Sequence, residues 1–166
     1  GITRSLKFMT DTDGPWYYEM HALGFNYRLT DMQCALGTSQ LKKLDKFIVR
    51  RKEIAKMYDD AFSSMERIDF IKEKEGFDSS RHLYVVLVEN RKNVFNWLTT
   101  ETNVGVNVHY IPVYFHPYYQ RLGYKRGLCP MAEKHYSRAI SIPMFPKLSD
   151  EEIEYVIGKI GQVTAN

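Results

Sequence analysis

The chain has 166 residues, of which 44% are hydrophobic and 26% are charged. This composition is typical of a folded globular protein and disfavours disorder over the chain as a whole. The net charge is only +3, which disfavours a nucleic-acid-binding protein, because such proteins usually carry a concentrated basic stripe. No apolar run approaches the ~20 residues that a membrane helix needs, so we expect no membrane partner.

The two cysteines and the first residue indicate the setting of the protein. Cys34 and Cys129 have neither Cys-x-x-Cys nor Cys/His spacing, so they predict no metal site and fit a reducing compartment. No signal peptide is recognisable, and we therefore expect a cytoplasmic protein. Because the chain begins with Gly1 instead of Met, we also expect it to be a fragment.

The first strong pattern in the chain is helical. Thr30 or Asp31 can cap a helix, since either side chain can accept from the free N–H groups of the first turn. Apolar residues at steps of three and four continue from there to Phe62. A break near Gly37 or at Lys42–Lys43 predicts a short helix followed by a long one. The apolar residues expected on one buried face are Leu41, Leu44, Ile48, Ala55, Tyr58 and Phe62.

The middle of the chain alternates between strand and helix signals. Residues 67–72 predict a short strand, and residues 82–88 predict the strongest strand, since they are β-branched, aromatic and almost continuously apolar. Continuous apolarity indicates that both faces of this strand are covered. Residues 91–102 predict a helix, and residues 104–109 predict another strand.

The last third contains a long aromatic loop and two helices. Residues 111–130 are rich in proline and tyrosine, and ordered loops of this length are usually functional. Residues 131–140 predict a helix, 141–145 a short extended segment, and 149–163 a helix that begins with a capping box to Glu152. From residue 67 onward this order predicts a small α+β layer, with a sheet covered by helices on one side.

The residue pattern gives few chemical signals. No histidine pair has metal-binding spacing, and there is no phosphate-binding glycine loop or nucleophile motif. His109 ends a predicted strand beside the aromatic loop, where it either meets a ligand or packs as a structural histidine. Asn26 and Arg28 precede a capped helix, where an amide, a guanidinium and free N–H groups can bind a phosphate. The alternative is a turn with a local ion pair.

Nine segments of the chain resemble those of a known family, in the same order. They are Trp16 to Met20, Gly24 to Gly37, Gln40 to Leu44, Arg50-Arg51, His82 to Tyr84, Asn107 to Val113, Pro117 to Tyr119, Ala132-Glu133 and Ile142 to Pro146. On these residues the sequence resembles the DegT/DnrJ/EryC/StrS family of nucleotide-sugar aminotransferases over nearly the whole chain. Within that family it is most similar to enzymes that aminate C4 of a UDP-linked 4-keto-6-deoxy-N-acetylhexosamine for bacterial surface sugars.

The resemblance implies the fold of a pyridoxal 5'-phosphate (PLP)-dependent transferase of the aspartate aminotransferase-like fold type I. Residues 1–43 are then the tail of the large cofactor domain and a dimer-contact segment. Residues 44–62 are a connecting helix, and residues 63–166 are the small C-terminal α+β domain. Because Gly1 to Arg4 resemble a segment that follows the catalytic lysine, the resemblance implies that this lysine lies upstream and that no catalytic residue is present.

The resemblance also implies binding residues. Asn26 matches the family asparagine that reaches the cofactor phosphate of the other subunit in a homodimer, and Arg28 supports the same phosphate or the substrate diphosphate. His109 and Tyr110 match a segment beside the nucleotide-sugar, and Tyr17 is a further substrate candidate. No residue is expected to bind a metal.

The resulting expectation is a fragment that is inactive alone. The intact enzyme would move an amino group from glutamate to C4 of the UDP-linked keto sugar, with PLP as its cofactor. One alternative is a PLP-dependent sugar dehydratase of the same family, in which a histidine replaces the lysine. Another alternative is a non-catalytic interaction module. Exposed apolar surface and association between chains are expected for such a fragment.

Overall fold

The computed structural model describes residues 1–11, 13–25 and 27–165. Two compact units divide the chain, Gly1–Lys42 and Lys43–Asn166.

The first unit contains one short strand pair and one helix. Strands β1 (Ile2–Thr3) and β2 (Glu19–Met20) are antiparallel, and helix α1 spans Asp31–Leu41. Thr30 caps α1 in a capping box with Gln33, which confirms the predicted start of the helix. None of the described residues in this unit is buried, so local turns and caps stabilise it more than a core does.

The second unit begins with the long helix α2 (Leu44–Phe62), so the predicted break lies at Lys42–Lys43, while Gly37 lies inside α1. The predicted buried face is right for Ala55, Tyr58 and Phe62, which are buried, while Ile48 is half-buried and Ile54 is buried without having been predicted. It is wrong at the other end, because Leu41 and Leu44 are exposed. The core of the unit reaches the helix only from Ile54 onward.

A three-stranded antiparallel sheet lies at the centre of the second unit. Its order is β3 (Ile68–Phe70), β4 (Tyr84–Val88) and β5 (Ala139–Ile142). In β4 the buried residues alternate with half-buried ones, so one face is fully covered and the other only in part, where the prediction had both covered. Such a difference between the two faces is usual for an antiparallel sheet.

Two other strand predictions need correction. Residues 104–109 do not form a strand, and among the residues that the structure describes here only Asn107 makes an isolated antiparallel bridge, to Ser141. The extended segment expected at 141–145 begins two residues earlier, as β5, because α5 ends at Arg138.

Three of the remaining helices follow the predicted order, namely α3 (Arg91–Glu101), α5 (Pro130–Arg138) and α6 (Asp150–Ala165). The short helix α4 (Pro117–Arg121) and a 3₁₀ turn at Val113–Phe115 lie within residues 111–130, which the sequence predicted as a loop. The capping box of α6 is present, since Ser149 and Glu152 exchange backbone-to-side-chain hydrogen bonds of 2.9 and 3.2 Å. Buried residues of α2, α3, α6 and the sheet form one hydrophobic core.

Candidate functional site

Tyr17 lies in a loop of the first unit that Glu19 holds in place. The Glu19 carboxylate accepts from the amide of Thr10 at 2.8 and 2.9 Å and from the amide of Asp11 at 2.7 Å. The His21 Nε2 atom lies 2.7 Å from the same carboxylate. These hydrogen bonds, of which the one from the Thr10 amide has the largest effect, lower the pKa of Glu19 to about 2. Partial loss of solvation, followed by the charges of Glu19 and Asp11, raises the pKa of the half-buried Tyr17.

The segment before α1 carries the two residues that the resemblance assigns to the cofactor phosphate. Asn26 lies outside the described residues. Arg28 is exposed, and its φ of 46° is in the left-handed region that residues other than glycine rarely adopt. The Thr30 side chain already accepts from the Gln33 amide, so one of the free N–H groups of the helix is used internally.

His109 is held by the sheet of the second unit. Its Nδ1 atom lies 2.8 Å from the hydroxyl oxygen of Ser141, which is only 5% exposed. The backbone of Asn107 exchanges two hydrogen bonds with Ser141, of 3.1 and 2.8 Å, and so fixes the same segment against β5. Because Nδ1 is occupied, Nε2 is the ring nitrogen that remains available to a ligand.

Tyr110 completes this pair. Its ring meets the His109 ring edge to face, with 4.6 Å between centroids, and the peptide bond between the two residues is cis. Tyr110 is 76% exposed. A half-buried imidazole and an exposed phenol thus stand side by side, and both can form hydrogen bonds with a polar ligand.

The aromatic loop after Tyr110 is ordered by one carboxylate. Glu133 on α5 accepts from the Tyr114 hydroxyl at 2.8 Å and from the Gly127 amide at 2.5 Å. Loss of solvation, followed by the hydrogen bond to Glu133, raises the pKa of Tyr114 to about 12. The loop is therefore fixed to α5, as expected for a functional loop of this length.

A basic cleft beside the start of α3 has no counterpart among the sequence predictions. Its volume is about 700 Å³. We call it the α3 cleft, and its charged and aromatic lining consists of Glu89, Arg91, Lys92, Phe115, Arg126, Glu133, Lys134, Tyr136 and Arg138. These residues come from three separate parts of the chain, so no local sequence pattern could have indicated it.

The structure brings together two of the five predicted binding residues. His109 and Tyr110 form a contacting pair, whereas Tyr17 and Arg28 belong to the other compact unit. Ser141 is a residue that sequence reasoning missed. It lies 32 positions from His109, and only the pairing of Asn107 with β5 brings it close.

The described residues contain neither a cluster of metal ligands nor a helix that could span a membrane. Within residues 1–11, 13–25 and 27–165, no group of three or more His, Cys, Asp or Glu side chains is placed to hold a metal ion. In the same described ranges, no helix combines the length and the apolarity that crossing a membrane requires.

Known proteins share both the sequence and the fold. The spore coat polysaccharide biosynthesis protein SpsC of Bacillus subtilis is 35% identical over 170 residues, which cover 98% of this chain and 44% of SpsC. A UDP-4-amino-4,6-dideoxy-N-acetyl-beta-L-altrosamine transaminase of Campylobacter jejuni is 37% identical over 146 residues, 85% of this chain and 38% of that protein. The chain spans less than half the length of these relatives.

Solved structures agree with this assignment. Spr1654 of Streptococcus pneumoniae, in its PLP form, matches with a TM-score of 0.79 and 31% identity over 92% of this chain and 40% of that chain. A family model described as the DegT/DnrJ/EryC1/StrS aminotransferase family matches residues 4–161. This chain therefore belongs to the DegT/DnrJ/EryC1/StrS aminotransferase family, and its α+β unit has the fold of the small domain of fold-type-I, PLP-dependent sugar aminotransferases.

Proposed function

We propose that this chain is part of an aminotransferase that moves an amino group from glutamate to C4 of a UDP-linked 4-keto-6-deoxy-N-acetylhexosamine. The observation that carries the proposal is the family match over residues 4–161, together with a named transaminase of UDP-linked sugars at 37% identity. The similarity to SpsC, a polysaccharide biosynthesis protein, supports a role in surface-sugar synthesis.

His109 and Tyr110 are the residues that we assign to the sugar. Ser141 fixes the His109 ring through Nδ1, which orients Nε2 as a hydrogen-bonding group for a hydroxyl or carbonyl of the substrate. The exposed Tyr110 hydroxyl adds a second group beside it. A rigid imidazole loses little entropy on binding, so it favours one orientation of the sugar. Tyr17, on the loop held by Glu19, is proposed as a further substrate contact.

Asn26 and Arg28 are the residues that we assign to the cofactor phosphate, across the interface of a homodimer. The exposed guanidinium of Arg28 suits a phosphate, since its fork of N–H donors matches phosphate oxygens. The bound cofactor would supply an electron sink for the transfer of the amino group. The chain's own part is to hold the phosphate and to orient the sugar.

The lysines of this chain are unsuited to a covalent link with the cofactor. Every lysine is exposed or half-exposed, and Lys52 and Lys159 are the least exposed. A lysine that forms such a link is usually desolvated or placed beside another cation, so that its amine is uncharged. We therefore propose that the reactive lysine lies in another part of the intact protein and that this chain alone does not turn over.

The test compares this chain with the intact protein that contains it. We expect the intact protein to transfer nitrogen from glutamate to the UDP-linked keto sugar, and His109→Ala to lower kcat/KM about tenfold or more, as expected for one lost hydrogen bond. This chain alone, incubated with PLP and reduced with borohydride, should show no stoichiometric mass increment on any lysine. A dehydrated product that carries no amino group from glutamate would identify a dehydratase instead.

A further inference from the structure

We propose that the α3 cleft binds a phosphorylated small molecule through its phosphate groups. This site does not depend on the proposed aminotransferase function, because the whole cleft lies in the second unit and can be tested on this chain. Its volume of about 700 Å³ is in the range of pockets that take metabolite-sized ligands.

Cations are in excess in the cleft, since five of them line it against the three acids Asp69, Glu89 and Glu133. Arg138 has two acidic partners, because its guanidinium lies 3.0 Å from both Asp69 and Glu89. The third acid, Glu133, accepts from Tyr114 and Gly127 and keeps its negative charge. Among the residues that the structure describes, the remaining four cations of the cleft form no ion pair. They are Arg91, Lys92, Arg126 and Lys134.

Two of these cations lie over aromatic rings of the same cleft. The Arg126 guanidinium lies 3.8 Å from the centroid of the Phe115 ring, and the Arg91 guanidinium lies 4.8 Å from that of Tyr136. The two rings meet edge to face, with 6.1 Å between centroids. A stacked guanidinium presents its face to the ring and keeps its N–H edge for a planar or tetrahedral anion. Both guanidinium groups thus lie beside the two rings that line the cleft.

One of these cations has a buried donor without an acceptor. The Nε atom of Arg91 is shielded from solvent, and within the described part of the chain it has no hydrogen-bond partner. Leaving a buried donor unpaired is unfavourable, and native proteins usually provide a partner for it. The Nε of Arg138 is also outside hydrogen-bond geometry, but it lies in an ion pair with Glu89. Arg91 is thus a cation of the cleft lining whose guanidinium keeps one unsatisfied donor.

The start of α3 adds to the positive potential of this cleft. Asn90 occupies the N-cap position without a capping bond from its side chain, and the first turn contains no acidic residue. Arg91 and Lys92 therefore stand at the positive end of the helix dipole, where cations are unfavourable and anions are favoured. A phosphate bound here would relieve that repulsion.

The cleft is displaced from His109 along the sheet. Ser141, which holds His109, pairs with Val85 of β4, whereas the cleft begins at Val88, the last residue of that strand. Three residues of strand correspond to ~10 Å. The phosphate site and the His109–Tyr110 pair are therefore two separate places in the unit.

The experiment titrates inorganic diphosphate into this chain at constant ionic strength and follows ¹H–¹⁵N NMR spectra. We expect the shifted signals to be the Nε–H of Arg91 and the backbone amides of Arg91 and Lys92. Lys134→Gln should raise the Kd by tenfold or more, because Lys134 lines the cleft and has no ion pair among the described residues. The matched control is Lys125→Gln, which removes the same charge from an exposed residue that does not line the cleft.

A second variant keeps the test decisive. Arg91→Gln should abolish the binding, and circular dichroism will show whether α3 remains folded. If Arg91→Gln unfolds the unit, the comparison of Lys134→Gln with Lys125→Gln decides the result. Equal loss of affinity in these two variants, or shifts spread over all surface lysines, would overturn the proposal, since either result indicates unspecific charge attraction.

Discussion

Arg51 should be one of the largest polar contributors to the stability of the second unit. Its Nη1 donates to the carbonyl oxygens of Arg81, His82 and Met144, at 3.1, 3.0 and 3.0 Å. A single guanidinium nitrogen thus joins α2 to the segment before β4 and to the segment after β5. Each hydrogen bond from a charged donor contributes about 1.5 to 3 kcal/mol to the free energy of unfolding.

The three hydrogen bonds of Arg51 do not contribute their full energies together. Nη1 has two hydrogens for three carbonyls, so the contacts amount to two full hydrogen bonds, and Arg51 is half-buried, so water can reach part of the site. We therefore expect Arg51→Ala to lower the free energy of unfolding by about 2 to 4 kcal/mol. Arg51→Lys should lose roughly half as much, because an ammonium keeps the charge but not the planar fork.

Urea unfolding followed by far-UV circular dichroism measures this effect, because most of the helix content lies in the second unit. Lys46→Ala is the matched control, since Lys46 is exposed on the same helix and its removal should change stability by less than about 0.5 kcal/mol. If the free energy of unfolding of Arg51→Ala lies within about 0.5 kcal/mol of that of the unmodified chain, the hydrogen bonds to the carbonyls contribute no net stability and the reasoning is wrong.

Three further predictions concern other parts of the chain. The folded pKa of Glu19, about 2, lies below its ordinary ~4.3, so Glu19 stabilises the first unit above pH ~4.3. That contribution is lost as the pH falls through about 2, and the Thr10 amide signal in an NMR titration should report it; a midpoint near 4 would contradict it. Leu98→Ala should lower the free energy of unfolding in urea by about 2 to 5 kcal/mol, because Leu98 is fully buried. A decrease below about 1 kcal/mol would contradict this, since it would mean that the core repacks to fill the cavity. Ser141→Ala should free Nδ1 of His109, and ¹⁵N shifts of the ring should move towards the tautomer mixture of a solvated histidine; unchanged shifts would show that Ser141 does not hold the ring.

The elements that the sequence predicted well are those with local signals. The start of α1 follows from Thr30, whose side chain caps the helix, and the start of α6 follows from the box of Ser149 and Glu152. The α3 helix and strands β3 and β4 follow from short runs of residues with matching preferences. A cap or a periodic run acts within a few residues, so it is visible without knowledge of distant partners.

The predictions that failed depended on distant partners. Residues 104–109 have the composition of a strand, but only Asn107 finds a bridge, to Ser141. Leu41 and Leu44 continue the apolar period of the helical stretch, yet both are exposed. Periodicity shows which residues share a face, but it does not show how much of that face another element covers.

The sequence by itself determined the family, through motifs in a fixed order, and it determined the positions of the capped helices, through side chains close to the backbone groups that they satisfy. It also marked His109 and Tyr110 as neighbours in a loop. Only the tertiary structure decided that Ser141 holds His109, and that cations from three segments surround the α3 cleft. Such contacts depend on how strands pair and helices pack. They join residues that are far apart in the chain, so no short sequence pattern predicts them.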